Sequence, residues 1–374
     1  DCFSKVKVKK MKPLIRAILR SAVYQIKYMD SIPDHAVCSE SVKLAVKKGF
    51  SGLRGYVNGV LRSVVKGIDE VEYPSDPIKR LSVRYSCPEW IIRLWKETYD
   101  LSLIETMLKD FQTEKPTTIR RCRSRITMEQ LKKRLEEEHV LVENHPYLKD
   151  ALLISKYDYL ESLETFREGL FVVQDISSML VGELAHVQAG AQVIDLCAAP
   201  GCSGHVEARD LTEYKVSLIE ENIERMGLCN VTAVCQDASV YDEKSAGKAD
   251  IVIADLPCSG LGVLGKKTDL KYKASPEGIV SLVKLQRKIL SCAASYVKPG
   301  GELLYSTCTV NPKENIENVH WFLKEFPEFY ADDIREDLCL ELRESVTENG
   351  CIQLLPGVHK SDGFFIARLR KKEV

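Results

Sequence analysis

Apolar positions in the first seventy residues recur at helical spacing. Ile15, Ile18, Leu19, Ala22, Val23 and Ile26 share one face of a helix that Pro13, with its fixed φ, is suited to open. A turn at Ile32-Pro33-Asp34 leads to a helix through Val42, Ala45 and Val46, and a third helix carries Val57, Val60, Leu61, Val64 and Val65. No strand signal interrupts them, so residues 1–72 are expected to form a small all-α domain. A polar linker, Tyr73-Pro74-Ser75-Asp76-Pro77, follows. Beyond it come aromatic-rich helices around Trp90 and Trp95, a candidate strand at Thr117-Thr118-Ile119-Arg120, and a charged helix from Thr127 to His139. Linker and small α+β segment together are expected over residues 73–145.

The pattern then changes to alternating α/β, and residues 146–374 are expected to form one domain. Short apolar runs at Val193–Leu196, Val206–Ala208, Val231–Val234, Ile251–Ala254 and Leu303–Tyr305 are bounded by turns, as strands buried on both faces should be. Between them Val216, Ile219, Ile223 and Met226 mark a helix stopped by Gly227. A second helix starts at Ser275-Pro276-Glu277 and runs to Val297. A third opens at Asn311-Pro312-Lys313-Glu314, an N-cap with a glutamate three residues on. The expected fold class is α/β: a doubly wound, Rossmann-like sheet, with ligands at the carboxyl ends of its strands.

Composition narrows the partners. In 374 residues, 45% are hydrophobic and 29% charged, as in a soluble globular chain. No apolar run approaches the roughly 18 residues of a membrane-spanning helix, and a secretory leader is not expected. The chain opens on Asp1 rather than Met, so its natural start is expected to lie upstream. Residues 1–70 hold fourteen Lys and Arg against six Asp and Glu, a surplus of eight positive charges in a chain whose net charge is −1. A basic module on an acidic body suits a nucleic-acid partner, and equally a solvated lysine-rich helical face. Of the thirteen cysteines, no two stand three apart, which argues against a zinc ribbon. Their odd number points to reduced thiols and a cytoplasmic location.

Chemistry gathers at the strand ends. The first strand runs into Cys197-Ala198-Ala199-Pro200-Gly201, small residues that let a cofactor approach the backbone, although the loop is no GxGxxG. The second ends at Asp210, the third at Gln236-Asp237; acids on successive strand ends favour an adenosine-type ligand. The fourth ends in Asp255-Leu256-Pro257-Cys258-Ser259-Gly260, and the fifth in Ser306-Thr307-Cys308-Thr309. Two cysteines thus sit on neighbouring loops beside a carboxylate. Most cysteines are inert buried thiols, but Cys308 also lies just before a predicted helix, whose amino-terminal dipole favours thiolate.

DLCAAPG, DLPCSG, KKTDLKYK, YVKPGGELLYSTCT and DGFFIARL together resemble the RNA 5-methylcytosine methyltransferases, most closely the bacterial RsmB (Sun/Fmu) type. The resemblance is dense from 171 to 310 and thinner from 78 to 145. It implies a NusB-like RNA-binding domain ahead of the catalytic domain, S-adenosyl-L-methionine as cofactor, and small-subunit ribosomal RNA as partner. By the same resemblance Cys308 is the nucleophile that attacks cytosine C6, and Cys258 assists breakdown and release. Asp255 stabilises the intermediate and borders the cofactor. Residues Cys197, Ala198, Ala199, Pro200 and Gly201 lie under the cofactor, Asp210 on its ribose, Asp237 near its adenine, and Lys215 matches a basic position. No membrane or metal partner is expected, and the chain is expected to be a monomer.

The chain departs from that pattern in two places. Only four residues separate Gly201 from Val206, where the family has a Gly-Gly-Lys and a full helix. Parallel neighbours need a crossover of about a dozen residues, so residues are expected to be missing here. In Thr118-Ile119-Arg120-Arg121-Cys122, the cysteine stands where asparagine is usual in a segment thought to meet RNA. The rival readings are a transfer-RNA enzyme of the same family, a DNA-type enzyme with Cys258 as nucleophile, and a non-catalytic RNA-binding assembly factor.

Overall fold

The computed structural model describes residues 2–197, 204–347 and 349–373, and it divides into two compact units, residues 1–80 and 81–374. The first unit is all helix: Pro13–Tyr28, Asp34–Lys47 and Arg54–Gly67. Pro13 stands in the first turn as expected. Ile15, Ile18, Leu19, Ala22, Val37, Ala45, Val57 and Leu61 close into its core, which is how three short helices, each marginal alone, become stable together.

The second unit contains two sheets. The smaller has four antiparallel strands: β1 (Thr117–Arg121), β2 (Leu141–Asn144), β3 (Ala151–Ser155) and β4 (Phe171–Val173), in the order β2-β3-β1-β4. Helix Met128–Glu137 lies over it, held at its start by a capping box between Thr127 and Gln130. Ile119, Leu131, Leu135, Leu152, Ile154 and Phe171 form the core between helix and sheet. This sheet therefore extends well past residue 145, because β3 and β4 pair with β1 on either side. The division between units falls at residue 80, within helix Pro77–Arg84, rather than at the Tyr73–Pro77 linker.

The larger sheet has eight strands: β5 (Gln192–Asp195), β6 (His205–Asp210), β7 (Val231–Cys235), β8 (Ala249–Asp255), β9 (Val297–Thr307), β10 (Phe329–Asp332), β11 (Ile352–Leu354) and β12 (Phe364–Lys371). Their order is β10-β12-β9-β8-β5-β6-β7, with β11 beside β12. The five strands expected from sequence are parallel. The sheet is nevertheless mixed, because β12 runs antiparallel to β9 and β10.

Alternation along the central strands explains the double winding. On β8, Ile251 and Ile253 pack with Met179, Leu180 and Leu184, whereas Val252 and Ala254 pack with Leu290, Ala293 and Phe322. The same division on β12 sends Phe364 and Ile366 to one core and Phe365, Ala367 and Leu369 to the other. Helix Glu213–Met226 stops at Gly227, whose φ of 63° is the left-handed conformation that glycine adopts freely. Helix Pro276–Tyr296 is capped by Ser275, which accepts from the Gly278 N–H at 3.0 Å. It passes directly into β9.

The connection between β5 and β6 covers residues 196–204, fewer than a helical crossover takes, although the strands pair in parallel with Asp195 opposite Ala208. Residues 198–203, where missing sequence was expected, lie outside those described. Among the described residues, no helix is long and apolar enough to cross a membrane.

Candidate active site

Strands β8 and β9 end side by side, Asp255 opposite Ser306, and carry the two cysteine loops. The Leu256 N–H donates to the Ser306 carbonyl at 3.0 Å, so the first loop leaves the sheet tied to its neighbour. It turns at Gly260, with φ of 67°, and returns so that the Gly262 N–H donates to the Cys308 carbonyl at 3.1 Å. The Gly363 N–H donates in turn to the Gly262 carbonyl at 2.8 Å. A methyl group at 262 would lie 2.0 Å from the Gly363 oxygen and 2.9 Å from the Cys308 oxygen. Only glycine permits this three-layer approach of backbone.

The loops bring the two sulfurs to 3.2 Å, and both cysteines are half-buried. Their ionisation is split. Cys308 is lowered from the usual thiol range, chiefly by its hydrogen bond with the Cys258 thiol, with a further contribution from the Lys267 ammonium; burial and the Asp255 charge work against it. Cys258 is raised well above that range by the same hydrogen bond, by burial and by the neighbouring charges of Cys308 and Glu314. Of the two thiols, Cys308 is thus the one held lower. Asp255 is pushed up to about 6 by burial, against a hydrogen bond donated by the Ser306 hydroxyl at 3.1 Å.

The expectation that a helix dipole activates Cys308 is not met. The segment after it forms a short 3-10 turn, Pro312–Glu314, and the α-helix begins only at Ile316. The group beside the Cys308 sulfur is instead the Cys258 thiol. Asn311 does cap the turn through the Lys313 N–H, but Glu314 folds inward instead of reaching back to the Asn311 backbone.

The remaining predicted residues line the adjoining strand ends. Cys197 follows β5, its N–H donating to Asp195 Oδ1 at 3.2 Å. Its thiol is raised by burial first and then by Asp195, Asp255 and Asp210, so these groups share one neighbourhood. Asp210 ends β6 and is 3.3 Å from the Lys215 ammonium. Lys215 is thus a partner of that carboxylate on an exposed helix face. Asp237 stands two residues past Cys235, which pairs with Asp210 across the strands. Its carboxylate is lowered by hydrogen bonds from the Ser239 backbone and side chain. Ala198, Ala199, Pro200 and Gly201 lie outside the described residues. Nothing in the sequence singles out Lys267 or Ser306, and Glu314 reads there only as part of a helix cap, although all three fall inside or beside the motif segments around the two cysteines.

The sheet is Rossmann-like, with acids on successive strand ends, and a helical unit precedes it; the class this defines, a Rossmann-like methyltransferase with a NusB domain ahead of it, is the one the family models match. A family model described as "16S rRNA methyltransferase RsmB/F" matches residues 183–370, one for the NusB family matches 1–66, and one for the RsmF/B-like ferredoxin-like domain matches 87–159. The chain is 34% identical, over 98% of its length and 85% of the relative's, to "Probable ribosomal RNA small subunit methyltransferase B" of Bacillus subtilis. It is 30% identical, over 94% of its length and 80% of the relative's, to "Ribosomal RNA small subunit methyltransferase B" of Vibrio cholerae. Among solved structures, PH0851 superimposes with a TM-score of 0.79 at 26% identity, covering 98% of this chain and 84% of its own. NSun6 from Pyrococcus horikoshii has the same fold, with a TM-score of 0.66 at 21% identity over 77% of this chain and 99% of its own. The chain belongs to the RsmB/F family of 16S rRNA methyltransferases.

Proposed function

We propose that this protein transfers a methyl group from S-adenosyl-L-methionine to cytosine C5 in small-subunit ribosomal RNA, through a covalent adduct between Cys308 and C6. The observation that carries this reading is the thiol pair: Cys258 Sγ lies 3.2 Å from Cys308 Sγ, beside the Asp255 carboxyl at the end of β8. Cytosine C5 is a weak nucleophile until something adds at C6. Thiolate addition sends the C5–C6 electron pair to C5, which then takes the methyl group. Asp255, with its affinity for a proton raised to about 6, meets N3 and the exocyclic amine and stabilises the adduct. The C5 proton must then pass to a base so that the double bond re-forms and Cys308 departs as thiolate. Cys258, next to that sulfur, is assigned to this last phase.

The acids suit the cofactor by their chemistry. Asp210 supplies acceptors for ribose hydroxyls and Asp237 an acceptor for an amino-bearing base, with Cys197 and Asp255 along the same rim. When bound, the sulfonium supplies an electrophilic methyl group. Lys215 orients Asp210. For RNA, the helical unit offers a groove of about 1080 Å³ lined by Lys43, Arg54, Arg62 and Lys66, with Asp34 among them. The target base must be unpaired or flipped out to reach a half-buried sulfur.

The test is to incubate the protein with methyl-labelled cofactor and small-subunit rRNA, then digest the RNA and separate the nucleosides. Label in 5-methylcytidine is expected. Label in another nucleoside would overturn the base and position assigned here. RNA and cofactor binding without any label would leave a non-catalytic assembly factor as the reading.

A further inference from the structure

The two cysteine loops share a second, deeper link. Glu314 is fully buried, at 0% exposure, and its carboxylate accepts four hydrogen bonds. Oε1 receives the Ser259 N–H at 2.7 Å and the Gln286 amide at 3.3 Å. Oε2 receives the Ser259 hydroxyl at 2.6 Å and the Asn311 amide at 2.9 Å. Ser259 is the residue after Cys258, and its hydroxyl also lies 2.9 Å from that of Thr309, the residue after Cys308. One carboxylate therefore fixes both loops from beneath. Gln286 and Asn318 complete the support, the Asn318 amide donating to Gln286 Oε1 at 2.8 Å.

Among the described residues, no lysine or arginine pairs with Glu314. A buried carboxylate without a cation persists only where several donors converge on it, and such groups hold geometry more rigidly than neutral ones. Its negative charge lies on the Cys258 side of the pair, bonded to the backbone of the very next residue, and opposes ionisation of Cys258.

We propose that Glu314 is a positioning residue, which sets the spacing of the two sulfurs and directs negative charge onto Cys308 rather than Cys258. This rests on the reading of Cys308 as nucleophile. The other groups that face the pair are Asp255 from the end of β8, Lys267 beyond the first loop and Tyr305 from β9, and the variants below leave all three in place.

The experiment uses the full chain without RNA and follows alkylation by iodoacetamide at each cysteine, by peptide mass spectrometry, from pH 6 to 9. The unaltered protein is expected to react first at Cys308. In Glu314→Gln an amide N–H, itself a donor, faces donors that the carboxylate oxygen accepted from, and the charge is gone. The Cys308-over-Cys258 preference is expected to fall about tenfold, the effect of one pKa unit on thiolate fraction. The kcat for methyl transfer should fall at least tenfold, with KM for RNA and cofactor within twofold. Ser259→Ala, which keeps the charge and the backbone bond, should lower kcat yet keep the alkylation preference. It also covers the case in which Glu314→Gln fails to fold. A folded Glu314→Gln with unaltered preference and kcat overturns the role of Glu314, as does loss of preference in Ser259→Ala to the same extent. Unaltered protein that reacts first at Cys258 overturns the nucleophile assignment itself.

Discussion

Asp255→Asn should stabilise the protein while abolishing its chemistry. Burial raises the Asp255 carboxyl from 3.8 to about 6, so the folded state binds this proton more tightly than the unfolded chain. For such a group the stability is fully present below the unfolded pKa and is lost as pH rises through the folded one. The window is thus about pH 4 to 6, and above it the full shift corresponds to about 3 kcal/mol. The side chain is half-buried, so water screens part of this, and about 1.5–3 kcal/mol is expected. Asparagine removes the charge but keeps an oxygen for the Ser306 hydroxyl, now at 3.1 Å. Between pH 5 and pH 7 the variant should therefore gain about 1 kcal/mol on the unaltered protein. The assay is urea unfolding followed by tryptophan fluorescence. All three tryptophans, Trp90, Trp95 and Trp321, lie in the second unit, so the signal reports the catalytic part alone. If the stability difference does not change with pH, or if the variant is the less stable at pH 7, the reasoning fails.

Gly262→Ala should destabilise the catalytic unit by about 3 kcal/mol or more, because its methyl group meets two backbone carbonyl oxygens that no side-chain rotation relieves; urea midpoints measure it. On the proposed reading, in which Asp210 takes the cofactor ribose and does not touch the thiol pair, Asp210→Ala should weaken cofactor binding about tenfold in isothermal titration while leaving iodoacetamide alkylation of Cys308 unchanged. Thr127→Ala removes the cap that accepts from Gln130 N and should lower stability by about 1 kcal/mol, with no effect on methyl transfer.

Much of the fold is legible in periodicity. The helices of the first unit and the five parallel strands follow from apolar spacing, and in the second unit Gly227 and Ser275 mark helix ends as capping chemistry requires. The antiparallel strands are harder to see. Phe364–Ala367 is a short apolar run that packs on both faces before Arg368, and no alternation there distinguishes it from other buried segments. β10 and β11 have only four and three residues, and pair through partners more than thirty residues from β9 in sequence. The four-stranded sheet recruits β3 and β4 from a stretch whose apolar character reads equally as the start of the next domain.

The site is legible in part. Strand ends bearing acids and thiols mark Asp210, Asp255, Cys258 and Cys308. The 3.2 Å sulfur pair is not visible in one dimension, because fifty residues separate its members. From sequence a helix start is therefore the only visible source of help for Cys308 ionisation, whereas the structure puts a second thiol beside it. Glu314 shows the same limit: Asn-Pro-Lys-Glu has the form of a helix cap, and only the packing of the Cys258 loop above it turns the glutamate into a buried bridge.

The central claim is that Cys308 attacks cytosine C6, and trapping tests it most directly. Small-subunit rRNA bearing 5-fluorocytosine cannot lose its C5 substituent, so the adduct formed with S-adenosyl-L-methionine persists on a denaturing gel. The account predicts a covalent protein–RNA band with the unaltered protein and with Cys258→Ala, mapped to the Cys308 peptide, and none with Cys308→Ala. A band that survives Cys308→Ala and disappears in Cys258→Ala would contradict it and make Cys258 the nucleophile.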